Sequence, residues 1–372
     1  MAYAAILGYG TVGSGVAKVL TDNGAEIEKA AGEAVKLKYI VDVRSFPDDP
    51  NADKIISDFS VVENDAEVGI VAETIGGTGV AYEFTKRALL AGKSVVTSNK
   101  ELVASRGREL LGIAAEKNVN YLFEASVGGG IPLLRPLTLC LGANRIEEIK
   151  GIVNGTTNYI LTCMEKGGMS FEEALDTAQR LGYAERDPSA DIEGKDACRK
   201  ICILADLAFG REFDPEKVRT VGIGGIAAED IKICSGFGAR IKLIARTGQA
   251  EGKEYIFVEP HVVMPTCMLN GVSESFNAIL VRGNAVGECM FYGRGAGSMP
   301  TASAVVGDMI DAVLHREKRR SIGWGAGNSD RISDGSELVS RWYVRSGERW
   351  ELLDPCSRAD TGDWDIKYRI MD

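Results

Sequence analysis

The chain has 372 residues, is 45% hydrophobic and carries a formal net charge of -10. That length is enough for two or three domains with sizeable cores. An acidic balance with no basic run excludes nucleic acid and an anionic membrane as partners. No apolar run reaches membrane-spanning length, and the start lacks a signal peptide's basic end and cleavage site, so a cytoplasmic location is expected.

Ala4 to Leu7 reads as a buried strand, followed at once by Gly8-Tyr9-Gly10-Thr11-Val12-Gly13. Val12, Val16, Val19 and Leu20 then recur at helical spacing. This is the dinucleotide fingerprint between strand and helix. Its glycines permit a tight turn and close approach to a pyrophosphate, while the helix N-terminus faces the anion. Gly8, Gly10, Thr11, Val12 and Gly13 are therefore candidate cofactor contacts for NADP or NAD. Leu37 to Val41 reads as the second strand, with Asp42 and Arg44 beyond it. An acid there suits a free ribose 2′-hydroxyl, and an arginine suits a 2′-phosphate. Both are present, which leaves the cofactor open. Arg44, the only basic residue between positions 39 and 53, tips the balance slightly to NADP.

Further strands at 68–74, 94–97 and 120–123 alternate with helical patterns near 80–91 and 101–117. Such alternation predicts an α/β fold with a Rossmann-type, doubly wound parallel sheet. Ligands of these sheets lie beyond the strand C-termini. That singles out Gly76 in Thr74-Ile75-Gly76-Gly77 and Lys100 in Ser98-Asn99-Lys100. Glu124 to Pro132 follows, with three consecutive glycines that free carbonyls for a ligand or cation, or mark a hinge.

From Leu133 the pattern changes. Residues 149–153 read as a strand, and Asn154-Gly155-Thr156-Thr157-Asn158 as the start of a helix, where Thr156 is a candidate contact for a polar ligand. Five acids crowd the next stretch: Glu185, Asp187, Asp191, Glu193 and Asp196. Pro188 opposes a helix through Asp187. A helix is predicted from about Asp191, capped by Asp191 or Ser189 and stopped at Gly210. Asp196 and Lys200 would share one face of it. Their spacing fits an acid–base pair serving an ammonium-bearing substrate, and fits equally a solvated ion pair.

Strands near 240–247 and 255–264 come next, then Gly293 to Gly297 and a small-residue helix from Pro300. Residues 316–335 have linker composition, 340–345 resemble a strand, and 346–372 give no architecture. Eight cysteines are scattered without a CxxC, and His261 and His315 are the only histidines, which argues against zinc and for a reducing compartment.

Together, GYGTVGSGV, TSNKELV, EASVGGGIP, GIVNGTTNYIL, GYAERDPSADIEGKDACRK and GRGAG with PTASAVVGD resemble the homoserine dehydrogenase family, in the family's order from about Ala4 to His315. The resemblance implies NADPH- or NADH-dependent reduction of aspartate 4-semialdehyde to homoserine, on the route to threonine and methionine. It implies a nucleotide-binding domain over 1–133 and an α+β catalytic and dimerisation domain over 134–297. A helix over 298–320 would return to the first domain, leaving 321–372 as linker and short tail. The assembly would be a homodimer or homotetramer acting on a small amino-acid substrate. Lys200 resembles the proton-transfer lysine, with Asp196 aiming it. Glu185 resembles the carboxylate for the substrate amino group, and Asp191 a neighbouring acid. Lys100 resembles a lysine between nicotinamide and substrate. Glu124, Val127, Gly129 and Ile131 match a site for a sodium or potassium ion, held mostly through carbonyls. Two features depart from the pattern. Trp342 to Arg345 resembles the first strand of a regulatory ACT domain with too few residues after it, so no domain-sized threonine site is expected. Ser298-Met299 stands where glycine and an acid are usual.

Overall fold

Short apolar strands alternating with amphipathic helices build the first of two units into which the chain divides, Met1–Cys140 with Ala296–Ala326. The computed structural model describes residues 1–250, 252–327 and 332–372. Six strands, β1 (Ala2–Leu7), β2 (Val35–Val41), β3 (Ile55–Ile56), β4 (Val68–Glu73), β5 (Ser94–Thr97) and β6 (Tyr121–Leu122), lie in the order β3-β2-β1-β4-β5-β6. Every pairing among them is parallel. The central strands β1, β4 and β5 read as nearly unbroken apolar runs because helices cover both faces of such a sheet. The helices are α1 (Thr11–Asp22), α2 (Gly24–Ala31), α3 (Phe59–Asn64), α4 (Val80–Leu90) and α5 (Lys100–Lys117). The strand order reverses between β1 and β4, the position where ligands of this fold bind.

The helix Ser298–Leu314 belongs to the same unit and adds Ala302, Val305, Val306 and Met309 to a core with Val16, Ala17 and Leu20. Gly15 makes this packing close: a Cβ there would sit 2.6 Å from Ser298 Oγ and 3.1 Å from the Ala302 Cβ. Ser298 Oγ donates to the Thr11 carbonyl at 2.6 Å, so the serine that departs from the family's pattern ties the helix start to the glycine loop.

The second unit, Leu141–Gly295 with Gly327–Asp372, is a mixed sheet with helices. Its strands are β7 (Ile146–Ile152), β8 (Arg219–Thr220), β9 (Arg240–Ala250), β10 (Lys253–Val263), β11 (Phe276–Gly283), β12 (Gly287–Arg294), β13 (Ile332–Ser333), β14 (Ser340–Ser346), β15 (Arg349–Cys356) and β16 (Ile366–Met371). The long strand β10 is the spine. It pairs antiparallel with β9 from end to end. Along its other edge it takes β13 at Glu254–Tyr255, β8 at Phe257–Val258 and β16 at His261–Val263. The helices are α6 (Gly155–Gly167), α7 (Phe171–Arg180), α8 (Ser189–Ile192), α9 (Lys195–Phe209) and α10 (Ala228–Gly236).

Two sequence expectations change here. The acidic stretch does not form one helix from Asp191: α8 ends at Ile192, and Gly194, at φ 82°, turns left-handed before α9 starts at Lys195. That backbone conformation favours glycine, and it resets the helix direction inside the expected run. The region after 346, which showed no pattern, holds two strands of this sheet. Most of β15 is exposed and none of it is buried, so it lacks the apolar alternation that marks a half-buried strand. Of the expected linker over 316–335, residues 328–331 lie outside the described residues. Among the described residues no helix is long and apolar enough to cross a membrane.

Trp342 of β14 is fully buried, with its Nε1 donating to the Cys356 carbonyl at 3.1 Å and the Arg369 guanidinium 4.5 Å from its ring. If the C-terminal strands are integral to this unit, Trp342→Ala should lower its stability by about 3–5 kcal/mol in urea unfolding. A variant as stable as the parent would make the tail a separate appendage.

Candidate active site

The β7 strand ends at Ile152, Val153 and Asn154 follow, and α6 begins at Gly155 with Asn154 as its cap. The Asn154 Oδ1 accepts from the Thr157 amide at 2.8 Å, the usual job of an asparagine at this position. Its amide nitrogen does something else. Nδ2 donates to Asp191 Oδ1 at 2.6 Å and to Asp196 Oδ2 at 2.8 Å, so one side chain holds two carboxylates. Lys200, one turn along α9 from Asp196, donates from Nζ to Asp196 Oδ2 at 2.7 Å and to the Val153 carbonyl at 2.8 Å. Asp196 and Lys200 are 5% and 8% exposed, so the pair is not a solvated surface bridge. Burial, and the nearby Asp196 carboxylate, raise the Asp191 pKa. Thr156 Oγ1 donates to the Tyr183 carbonyl at 2.7 Å, tying the start of α6 to the acidic loop.

The structure thus gathers Asp191, Asp196, Lys200 and Thr156 around Asn154. It leaves Glu185, Asp187 and Glu193 exposed. The Asp187 carboxylate accepts from the Ser189 amide, and Glu193 pairs with Lys195. Asn154 and the Val153 carbonyl were missed as members of this cluster. The signal was an asparagine opening a helix, which reads as an ordinary cap, because no periodicity shows what its other end touches.

In the first unit, Gly10 caps α1 with no side-chain hydrogen bond and no acid lies in its first turn, which leaves its N-terminal amides open to an anion. Gly13 cannot carry a side chain: a Cβ would lie 2.0 Å from the Gly8 carbonyl oxygen. No atom lies within 4 Å of a Cβ built at Gly10, and Gly8 has φ 87°. Thr74 Oγ1 donates to the Gly8 carbonyl at 2.8 Å. Val12 packs on the unit's core, while Thr11 is exposed. Glu73, buried at the end of β4, accepts from the Ile75 amide at 2.8 Å, the Gly76 amide at 3.2 Å and the Thr97 hydroxyl at 2.6 Å. Asn99 Nδ2 donates to the Gly77 carbonyl at 2.7 Å. These bonds bring the Gly76 loop and the start of α5, where Lys100 sits half-buried, together beyond the C-terminal ends of β4 and β5.

Asp42 and Arg44, read from sequence as rivals, are partners. Arg44 donates from Nε to Asp42 Oδ1 at 3.0 Å and from Nη2 to Oδ2 at 2.8 Å, and the Tyr9 amide donates to Oδ2 at 2.6 Å. The Arg44 guanidinium holds the Asp42 carboxyl well below the usual carboxylate range. Both line a pocket of about 290 Å³ with Phe46 and Ile55.

Glu124 is 6% exposed, and its carboxylate accepts from the Leu133, Leu134 and Arg135 amides. Its own amide donates to Asp308 Oδ2 at 2.8 Å. Burial, with the Glu124 carboxylate beside it, pushes Asp308 up to about 7. Val127 and Ile131 are buried, and Gly129 has φ 56°. Among the described residues no group of three or more His, Cys, Asp or Glu side chains could hold a metal ion.

The strand order and open glycine loop of the first unit make it a dinucleotide-binding domain, which puts the chain among the NAD(P)-dependent oxidoreductases. Residues 132–310 match the homoserine dehydrogenase family, and residues 8–124 match the NAD binding domain of homoserine dehydrogenase. A homoserine dehydrogenase of Neisseria gonorrhoeae is 39% identical over 350 residues, covering 91% of this chain and 80% of the relative. One from Bacillus subtilis is 43% identical over 309 residues, covering 82% and 71%. The crystal structure of a homoserine dehydrogenase from Thiobacillus denitrificans superposes with a TM-score of 0.88 at 32% identity, covering 100% of this chain and 98% of that one. A hyperthermophilic archaeal homoserine dehydrogenase in complex with NADPH superposes with a TM-score of 0.71 at 30% identity, covering 86% and 99%. The chain belongs to the homoserine dehydrogenase family.

Asp191 gives a pH test. Its folded-state pKa lies above the value of about 3.9 for a free aspartate. The stability it contributes is therefore present at low pH and lost as pH rises through its folded pKa. Asp191→Asn should raise the melting temperature at pH 8, and the gain should shrink towards pH 4.5. A gain independent of pH would remove the strained carboxylate from the account.

Proposed function

We propose that this chain interconverts L-aspartate 4-semialdehyde and L-homoserine through the buried Lys200, Asp196 and Asn154 cluster. The carrying observation is the Lys200 ammonium held between Asp196 and the Val153 carbonyl at 2.7 and 2.8 Å. When bound, the dinucleotide supplies the hydride for the aldehyde carbon. Lys200 gives its proton to the forming alkoxide oxygen and takes it back in the reverse direction. Asp196 and the Val153 carbonyl fix the direction of Nζ, and Asn154 fixes Asp196. Asp191 and Thr156 belong to the substrate side. Glu185, exposed and on a loop, offsets the charge of the substrate ammonium group. Lys100 serves both cofactor and substrate, as the family resemblance implies.

The open α1 N-terminus and Gly8, Gly10, Thr11, Val12 and Gly13 fit a pyrophosphate, with Gly76 on the facing loop. Asp42 already accepts hydrogen bonds from Tyr9 and Arg44, which leaves it little capacity for ribose hydroxyls. The Arg44 side chain is 58% exposed and is held in place by that acid, which favours NADP over NAD. A sodium or potassium ion would rest on the carbonyls of Val127, Gly129 and Ile131, since the Glu124 carboxylate takes three amides. A cytoplasmic homodimer or homotetramer is the assembly this reading carries.

Lys200→Ala should lower kcat by roughly 10²–10⁴-fold with little change in dinucleotide affinity. Glu185→Gln should instead raise KM for homoserine and leave kcat closer to the parent. An unchanged kcat in the first variant would take Lys200 out of the reaction, and an unchanged KM in the second would free Glu185 of its role.

Arg44→Ala should reduce kcat/KM with NADP by roughly tenfold or more, and far less with NAD. Equal losses with both dinucleotides would mean that Arg44 only braces Asp42.

A further inference from the structure

The C-terminal strands help enclose a second cavity, of about 440 Å³, whose lining includes Arg219, Val221, Gly222, Glu259, Arg358 and Lys367. It lies wholly in the second unit and shares no lining residue with the Lys200 cluster. Glu259 is 2% exposed and serves three guanidiniums at once. Arg219 and Arg358 both donate to its Oε2, and Arg369 Nε donates to Oε1 at 2.8 Å. Asp334 and Asp365 are the other acids at hand, so with Lys367 four cations face three carboxylates. His261, buried with its Nε2 lacking a partner among the described residues, adds no charge, because burial pushes it down to about 4. Arg358 is the least satisfied member: its Nε is buried with no partner among the described residues, and burial and Arg219 lower its pKa. Guanidiniums that share one carboxylate oxygen and border a cavity are suited to an oxyanion with two or three acceptor oxygens.

The wall of this cavity touches the acidic helix of the active site. The Val221 amide bonds the Val258 carbonyl at 2.7 Å, and the Ile223 amide bonds the Ile192 carbonyl at 2.9 Å. Gly222 between them is pressed on α8: a Cβ there would lie 2.0 Å from the Ile192 carbonyl oxygen. Ile192 follows Asp191, which Asn154 ties to Asp196.

We propose that this cavity binds a small anion through a phosphate or carboxylate group between Arg219 and Arg358, and that its occupancy alters substrate binding through the Val221–Gly222 wall and Asp191. The binding site stands on the cavity; only the kinetic consequence rests on the function proposed above.

The test uses the full chain and two probes in separate titrations, inorganic phosphate and succinate, followed by calorimetry. At least one should bind saturably, and the tighter one tells a phosphorylated from a carboxylate ligand. Arg358→Gln should weaken binding about tenfold or more. Val221→Glu puts a tethered carboxylate at a residue that is 40% exposed, should abolish binding, and decides the matter if the arginine variant fails to fold. In the parent the bound anion should shift KM for homoserine about fivefold or more, with Val221→Glu insensitive to it. Failure of both probes to saturate, or binding that both variants leave intact, overturns the site. Saturable binding with KM unmoved overturns the coupling. An inactive but anion-binding protein would sink the proposed function and keep the site.

Discussion

One ammonium buried against carboxylates is the constraint on which the second unit depends. Taking Lys200, Asp196 and Asp191 out of water is unfavourable unless each charge is paired and hydrogen-bonded. The unit meets this with three elements that converge on one point: the end of β7, the cap of α6 and the first turn of α9. Asn154 is the joint. Its oxygen starts a helix while its nitrogen holds the two carboxylates. One unfavourable term remains: burial, and the Asp196 carboxylate next to it, raise the Asp191 pKa. A cation brought beside such a carboxylate would relieve it, so stability given up in the free protein can reappear as binding.

The first unit is organised by backbone closeness rather than by charge. Gly13 lets α1 approach the end of β1, and Gly15 lets the Ser298–Leu314 helix approach α1. Between them, the start of α1 keeps its amides free of any side-chain cap. Glu73 and Asn99 then fix the neighbouring loops by accepting from, or donating to, main-chain groups. The result is a rigid rim built from main chain, which suits a ligand whose recognised part is a pyrophosphate.

Along β10 the second unit manages a different problem. Its second edge is closed by three short strands from distant parts of the chain, and the polar residue Glu259 between them is neutralised by arginines from two of those segments and from the loop before β16. Buried ion clusters of this kind are weak sources of stability, and they hold several segments in one arrangement only when all are present. The C-terminal strands are therefore part of the sheet's register, not an extension of it.

The sequence by itself determined the parallel sheet, the glycine loop and the shared helix face of Asp196 and Lys200, because each is written in local spacing, while the family was legible in the order of its motifs. Tertiary structure decided the rest. It broke the acidic helix at Gly194, which turns left-handed where a Cβ would lie 3.0 Å from the Thr220 side chain. It turned Asp42 and Arg44 from alternatives into an ion pair, because side-chain direction past a strand end is not set by composition. It gave Asn154 its second role and residues 349–371 their strands, because both depend on partners far away in the chain. Local pattern records which face of an element is apolar; which polar groups meet across elements is fixed only when burial forces each of them to find a partner.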